Sequence, residues 1–269
     1  MTLPAALFAI TIFGIHIGGS PMLKSTEQFS IPVTRRLPLM VSTNSGDITV
    51  VGSTQRTIEV TVIKRAPSKA QLAQMHVDRR IGARSIQLTT VFHDGCWWNC
   101  GDISFRISLP ANTALTLHSN SGDLRISAMN ASVNASTSSG DVRVDGAAAE
   151  RSDVVKIADS SGDITLRDVG GNVAAETSSG DVNLRDASTS ALTRVRLSSS
   201  SGDVSLALPR HPSIRLNART SSGSIDTNLG IPVRGRYASA HATARLGTGR
   251  VKVSLSTSSG DVTIDGSKR

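Results

Sequence analysis

Residues 133–144 read VNASTSSGDVRV, residues 155–166 read VKIADSSGDITL and residues 173–184 read VAAETSSGDVNL. Set one under another, they share a Ser-Gly-Asp tripeptide with apolar residues at fixed offsets on both sides. The same register picks out Gly46-Asp47, Gly122-Asp123, Gly140-Asp141, Gly162-Asp163, Gly180-Asp181, Gly202-Asp203 and Gly260-Asp261, together with Gly223, where Ser224 replaces the Asp. From Gly122 onward the glycines are 18, 22, 18, 22, 21 and 37 residues apart. Two and four residues after each glycine, and five and seven before it, 31 of 32 positions are apolar, Thr227 being the exception. In the Gly140 copy these are Val142, Val144, Ala135 and Val133.

Alternation with period two on both sides of a turn is the pattern of strands with one buried and one wet face. A helix would scatter those apolar residues around its surface. The glycine supplies a positive φ at the corner, and the flanking Ser and Asp can hydrogen-bond nearby backbone. A unit of about 20 residues cannot bury its own apolar face, whereas copies stacked at ~4.8 Å per layer can. The sequence therefore predicts an all-β fold, a β-solenoid of Ser-Gly-Asp layers. A β-sandwich with a hairpin at each tripeptide is the competing architecture.

Composition agrees with a narrow core. Of 269 residues 38% are hydrophobic, yet Phe, Trp and Tyr together make only 3%, while serine occurs 39 times. Val, Ile, Leu and Ala suit a thin interior, and they are too plentiful for a disordered chain. A surface of exposed rings, as single-strand binders use, is not available. The formal net charge of +8 favours anionic partners. These would be an anionic envelope polymer or another surface protein rather than nucleic acid, since no arginine-rich run is present.

Residues 1–22 are nearly all apolar around Ala5–Ile15, which reads as a signal peptide or an N-terminal anchor. Gly18-Gly19-Ser20 is small enough for cleavage, but no Lys or Arg precedes Lys24, and a buried terminal strand is the alternative. The chain is thus expected to be exported to the envelope, periplasm or cell surface, with membrane contact only through this segment. The repeat domain spans 27–266, with irregular segments at 51–114 and 228–252. In the first, Thr57–Arg65, Ser85–Phe92 and Ile103–Leu109 read as strands, and Ser68–His76 as one short helix with Ser68 as its N-cap. The second is expected to hold one degenerate layer and a loop. Interrupted layers commonly serve as caps, and exposed strand ends offer a route to self-association.

Cys96-Trp97-Trp98-Asn99-Cys100 breaks the repeat. In an exported chain Cys96 and Cys100 are candidates for a small disulfide loop, with free thiols as the alternative. Two cysteines are too few for structural zinc, and their spacing is not that of a redox pair. Trp97 and Trp98 are either a partner contact or a cap over the stack. The column Asp47, Asp123, Asp141, Asp163, Asp181, Asp203 and Asp261 could attract calcium, but corner capping is the simpler reading. Arg125, Arg143, Arg167 and Arg185 follow closely and could offset the repulsion between these carboxylates. The histidines His16, His76, His93, His118, His211 and His241 lack metal-ligand spacing, and no nucleophile elbow or P-loop occurs. A non-catalytic protein without cofactor or metal is the expectation, with a polysaccharide-active enzyme as the less favoured alternative.

The repeated Thr-Ser-Ser-Gly-Asp-Val corner resembles the bacterial putative-adhesin domain family of unknown function. So do Leu39-Met-Val-Ser-Thr-Asn-Ser-Gly-Asp-Ile-Thr-Val, Ile107-Ser-Leu-Pro-Ala-Asn-Thr-Ala-Leu and the ending Leu246-Gly-Thr-Gly-Arg-Val-Lys-Val-Ser-Leu-Ser-Thr-Ser-Ser-Gly-Asp-Val. The resemblance covers roughly residues 27–266. It implies a solenoid-like fold in an envelope protein that serves as an adhesin or binding scaffold, and it brings no catalytic residues.

Overall fold

The structure, a computed structural model, describes residues 9–15, 22–33, 35–92, 101–147, 150–186, 191–235 and 239–266. The first part comprises β1 (Ala9–Ile15), β2 (Met22–Pro32), β3 (Leu39–Ser45), β4 (Ile48–Ser53), β5 (Thr57–Ala66), α1 (Lys69–Gln74), β6 (Met75–Ile81), β7 (Ile86–Phe92) and β8 (Asp102–Pro110). Strand pairs follow, each bent at a Ser-Gly-Asp corner: β9 (Leu115–Ser121) with β10 (Leu124–Ser127), β11 (Val133–Ser139) with β12 (Val142–Ala147), and β13 (Val154–Ser161) with β14 (Ile164–Val169). The series continues with β15 (Gly171–Ser179) and β16 (Val182–Arg185), β17 (Leu192–Ser201) and β18 (Val204–Leu208), and β19 (Ile214–Ser222) and β20 (Ile225–Thr227). After β21 (Val233–Arg234) and β22 (Ala240–Leu246) comes a last pair, β23 (Val251–Ser259) with β24 (Val262–Gly266).

At each corner the chain passes from one sheet to the other. Among the described residues two open sheets of twelve strands result. One runs β1-β2-β5-β8-β4-β10-β12-β14-β16-β18-β24-β20, and the other β21-β22-β19-β23-β17-β15-β13-β11-β9-β3-β7-β6. From β10 to β18 and from β9 to β17 all neighbours are parallel, in a register that superimposes the copies: Val133 lies between Leu115 and Val155, and Val142 between Leu124 and Ile164. The 31 apolar positions read from the repeat are all buried between the sheets, and Thr227 is half-buried on the edge strand β20.

Spatial order departs from chain order at the end. The last pair, β23–β24, slides between β17–β18 and β19–β20, parallel to both neighbours. The Gly223 copy is therefore the terminal layer, although the Gly260 copy comes last in sequence.

The irregular segments extend this core by antiparallel pairing. β2 pairs with β5, and β5 with β8, so that Phe29 and Phe105 are buried where the interior no longer follows the narrow repeat. Glu27 is flanked by Lys64 at 3.4 Å and by Arg79, whose guanidinium lies 3.8 Å from the centre of the Phe29 ring. The expected helix is present, with Ser68 Oγ accepting from Gln71 N, but it ends at Gln74. Met75 begins β6, which pairs antiparallel with β7. Segment 228–252 is not a degenerate layer. β22 runs antiparallel to β19 and covers the sheet there. Without a Ser-Gly-Asp corner that stretch does not cross to the other sheet, and Ala240 and Ala242 fill the inward positions. Ala9–Ile15, within the segment read as a leader or anchor, forms β1 against β2. Among the described residues no helix is long and apolar enough to cross a membrane.

Candidate functional site

The corners form one column along the stack, in the order Gly46, Gly122, Gly140, Gly162, Gly180, Gly202, Gly260, Gly223. Their φ values lie between +122° and +156°, where L side chains are rarely found. A Cβ on any of these glycines after Gly46 would also collide with the carbonyl oxygen of the preceding glycine in the column. Conformation and close approach thus both require glycine. Each glycine N–H from Gly46 to Gly260 donates to the serine carbonyl of the next layer at 2.8–3.2 Å.

The aspartates make a second ladder beside it. Asp47 Oδ1 accepts from Asp123 N at 3.0 Å, Asp123 from Asp141 N at 2.9 Å, and Asp141 from Asp163 N at 3.0 Å. Asp163 accepts from Asp181 N, Asp181 from Asp203 N and Asp203 from Asp261 N, each at 2.8 Å. Asp261 Oδ1 accepts from Ser224 N at 2.7 Å. Every carboxylate therefore holds the amide of the following layer, a charge-assisted bond. At one end Ser104 Oγ does the same for Asp47 N, at 3.2 Å. At the other, Ser224 stands in the terminal layer, where no further amide awaits a carboxylate. The Ser for Asp replacement in the sequence marks the end of the stack.

A third ladder lies three residues before each glycine. Thr43, Thr137, Thr177, Ser199, Thr257 and Thr220 donate their hydroxyls to the carbonyl of the preceding layer's corner: Ile103, Gly122, Gly162, Gly180, Gly202 and Gly260 respectively. Two residues depart from it. Ser119 Oγ is buried with no hydrogen-bond partner. Asp159 occupies the position in the Gly162 layer, 7% exposed, with Oδ1 accepting from Ser161 N and Oδ2 unpartnered. Burial pushes its carboxyl above the usual carboxylate range, and the charges of Asp141 and Asp163 act in the same direction.

Of the arginines expected to offset the aspartate column, Arg125 reaches it, 2.8 Å from Asp123. Arg143 instead pairs with Asp145 at 2.7 Å, Arg167 lies between Asp145 and Asp186, and Arg185 makes no ion pair among the described residues. Among the described residues no group of three or more His, Cys, Asp or Glu is placed to hold a metal ion. The corner residues are thus brought together as scaffold, with one oxygen of each corner aspartate spent on backbone. Cys96, Trp97, Trp98 and Cys100 lie outside the described residues.

What sequence reading missed lies on the outward face. Arg194, Lys252 and Arg215 each stand eight residues before a corner glycine, on the neighbouring strands β17, β23 and β19. Their shared offset was visible in the repeat, but their adjacency depends on the out-of-order insertion of β23.

A family model, Toastrack DUF4097, matches residues 97–265. The chain belongs to this Toastrack family. The match, to a domain of unknown function, begins beyond the Gly46 layer and takes in every later one. Among solved structures, the Toastrack chain is similar to a protein described as a "putative adhesin" from Bacteroides fragilis NCTC 9343, at 16% identity over 90% of this chain and 97% of that one, with a TM-score of 0.51. It also matches a "putative cell adhesion protein" from Clostridium sporogenes ATCC 15579, at 13% identity over 91% and 100% of the two chains, with a TM-score of 0.44. At 16% identity the first likeness is one of fold. No curated protein matches the sequence.

Proposed function

We propose that this Toastrack protein is a two-sheeted β-solenoid of Ser-Gly-Asp layers, exported to the bacterial envelope, where it works as a non-catalytic binding scaffold of the adhesin type. The observation that carries the reading is the division of labour between corner and face. The repeated Asp, Ser and Thr side chains bond the backbone of adjacent layers, so the residues that most resemble chemical machinery are engaged in stacking. What is left for function is two broad outer faces of Ser, Thr, Asn, Arg and Lys. Flat display suits adhesion to an envelope component better than turnover of a small substrate, for which enclosed pockets are the rule. At one end of the stack the edge strands are short, three residues in β20 and two in β21, which disfavours self-assembly through that end.

Export makes a structural prediction of its own. Cleavage after Gly18-Gly19-Ser20 would remove β1 and leave β2 as the sheet edge. Cell fractionation with N-terminal sequencing of the mature chain tests this, the expected result being an envelope or surface protein. Recovery from the cytosol with Met1 retained would overturn it. The binding role is tested by incubating purified protein with cells of the producing species. Saturable retention is expected, and none after washing at physiological salt would remove the adhesin reading.

A further inference from the structure

The outward face of the sheet that ends in β19, β22 and β21 is strongly uneven. Eight residues before the corner glycine, the first five layers carry Pro38, Ala114, Ser132, Val154 and Asn172. The last three in space carry Arg194, Lys252 and Arg215. Register aligns Arg194 with Lys252, Lys252 with Arg215, and Arg215 with Arg245 on β22, giving four cations in one row across four strands. The row runs along the stack at ~4.8 Å per strand. All four side chains are exposed. The next row holds Arg196, Ser254, Asn217 and Thr243, and the row after it Ser198, Ser256, Arg219 and His241. A shallow groove of about 340 Å³ lies between the first two rows, lined by Arg194, Arg196, Arg215, Lys252, Asn217 and Ser254.

No carboxylate occupies the first two rows on these strands; Glu176, beside Ser198 in the third row, is on the next strand, β15. Among the described residues Arg194, Arg196, Arg215 and Lys252 make no ion pair. The opposite sheet at the same end carries Asp265 on β24 and Asp226 on β20, so the charge is sorted between faces rather than spread evenly. Like charges repeated at one strand spacing repel one another, and a ligand with anions at a similar repeat removes that repulsion. Among the described residues the first two rows hold no aromatic ring on which a base could stack, which disfavours single-stranded nucleic acid. Its interleaved Ser, Thr and Asn side chains offer donors and acceptors to hydroxyl-rich chains.

We propose that the Arg194–Lys252–Arg215–Arg245 row and its groove bind a linear acidic polysaccharide, with carboxylates along the cation row and sugar hydroxyls on Ser254, Asn217 and Thr243. The proposal rests on the binding-scaffold reading and gives it a place and a ligand class.

Binding of the full chain to polygalacturonate, with neutral dextran and duplex DNA as comparisons, tests it. The variant Lys252→Glu/Arg215→Glu reverses the row. Arg106→Glu/Arg185→Glu makes the same change in net charge on the opposite sheet. The expected result is salt-sensitive polygalacturonate binding, weakened about tenfold or more by the first pair and changed less than about twofold by the second. Dextran should not bind, and DNA should bind more weakly than polygalacturonate. Equal losses in both variants, tighter binding of DNA, or no binding by the unaltered protein would each overturn the proposal. Melting curves establish that the reversed variant folds; if it does not, Lys252→Gln/Arg215→Gln replaces it, with an expected loss of about threefold. Retention on cells separates the two levels. If the reversed variant is retained as well as the unaltered protein, the cation row is refuted and the scaffold reading stands. If the unaltered protein is not retained, the scaffold reading fails.

Discussion

Each layer turns twice, and the two corners are built on different rules. At the first, Ser-Gly-Asp recurs and the backbone of adjacent layers is in contact. At the second, six residues after the glycine, four consecutive layers again adopt positive φ, yet the residues are Ala128 (+56°), Gly146 (+70°), Asp168 (+48°) and Asp186 (+56°). Positive φ near +50° to +70° therefore does not select glycine in this molecule. The wider φ of the first corner, +122° to +156°, together with the absence of room for a Cβ, does: at Gly180 the preceding carbonyl blocks it, whereas at Gly146 the nearest atoms, in Ala128, are 3.8 Å away.

The sharpest way to break this comparison is to place the same methyl group at both corners. Gly180→Ala combines a φ of +138° with a collision against the Gly162 carbonyl and should cost about 3–5 kcal/mol. Gly146→Ala makes only ordinary contact with Ala128, at 3.8 Å, and should cost about 1 kcal/mol for its left-handed φ. Urea unfolding of the two variants measures the difference. Equal costs would mean that neither the collision nor the wider φ makes the first corner glycine.

The aspartate ladder predicts a smaller asymmetry. Asp181→Ala removes the acceptor for Asp203 N in mid-stack and should destabilise by about 1–2 kcal/mol. Asp181→Asn keeps an acceptor and should recover much of that loss. Ser224→Asp adds a carboxylate in the terminal layer, where no amide follows, and replaces a hydroxyl that donates to Asp226 and Asp261, so it should bring no stabilisation. A clear stabilisation by Ser224→Asp would contradict the reading of Ser224 as an end mark.

Asp159 interrupts the hydroxyl ladder from within. An ionised carboxylate has no proton to offer the Gly140 carbonyl, which takes the place of the acceptor used in other layers. Because its pKa is raised in the folded state, its favourable contribution is complete below the ordinary carboxylate value and is lost as pH rises through the folded value. Asp159→Thr should therefore stabilise the protein by about 1 kcal/mol at pH 7. The gain should shrink as pH falls through the raised folded value toward the ordinary carboxylate range and the carboxyl regains its proton. Thermal melts across that range would expose a pH-independent gain, which would point to packing rather than ionisation.

These features differ in how far the sequence disclosed them. Inward residues such as Val133, Ala135, Val142 and Val144 were legible because burial enforces a period of two, and a slip of one residue would turn them all outward. The Ser68 cap was legible because capping is local. The position of β23–β24 was not, since every copy offers nearly the same edge and any two can pair. Only Ser224 and Thr227, both departures from the repeat, hinted at which copy comes last. Strand β6 was hidden by the charged run Asp78-Arg79-Arg80 and by the helical composition before it. The cation row was hidden twice: it occupies outward positions, and its middle member arrives from a distant part of the chain.

The second corner was illegible for a subtler reason, and it supplies the smallest effect. Asp tolerates left-handed backbone through local hydrogen bonding, and Ala bears the cost without compensation, so no residue type labels the turn. If that cost is real, Ala128→Gly relieves it, and the added freedom of glycine in the unfolded chain offsets part of the gain. The net should be a stabilisation of about 0.5 kcal/mol. Asp186→Gly, which also gives up the ion pair with Arg167, should gain less, whereas Asp168→Gly, whose side chain makes no ion pair among the described residues, should resemble Ala128→Gly. Comparing the three in the same unfolding assay separates backbone strain from side-chain compensation. A destabilised Ala128→Gly would mean that the Ala128 methyl contributes packing that outweighs its φ of +56°.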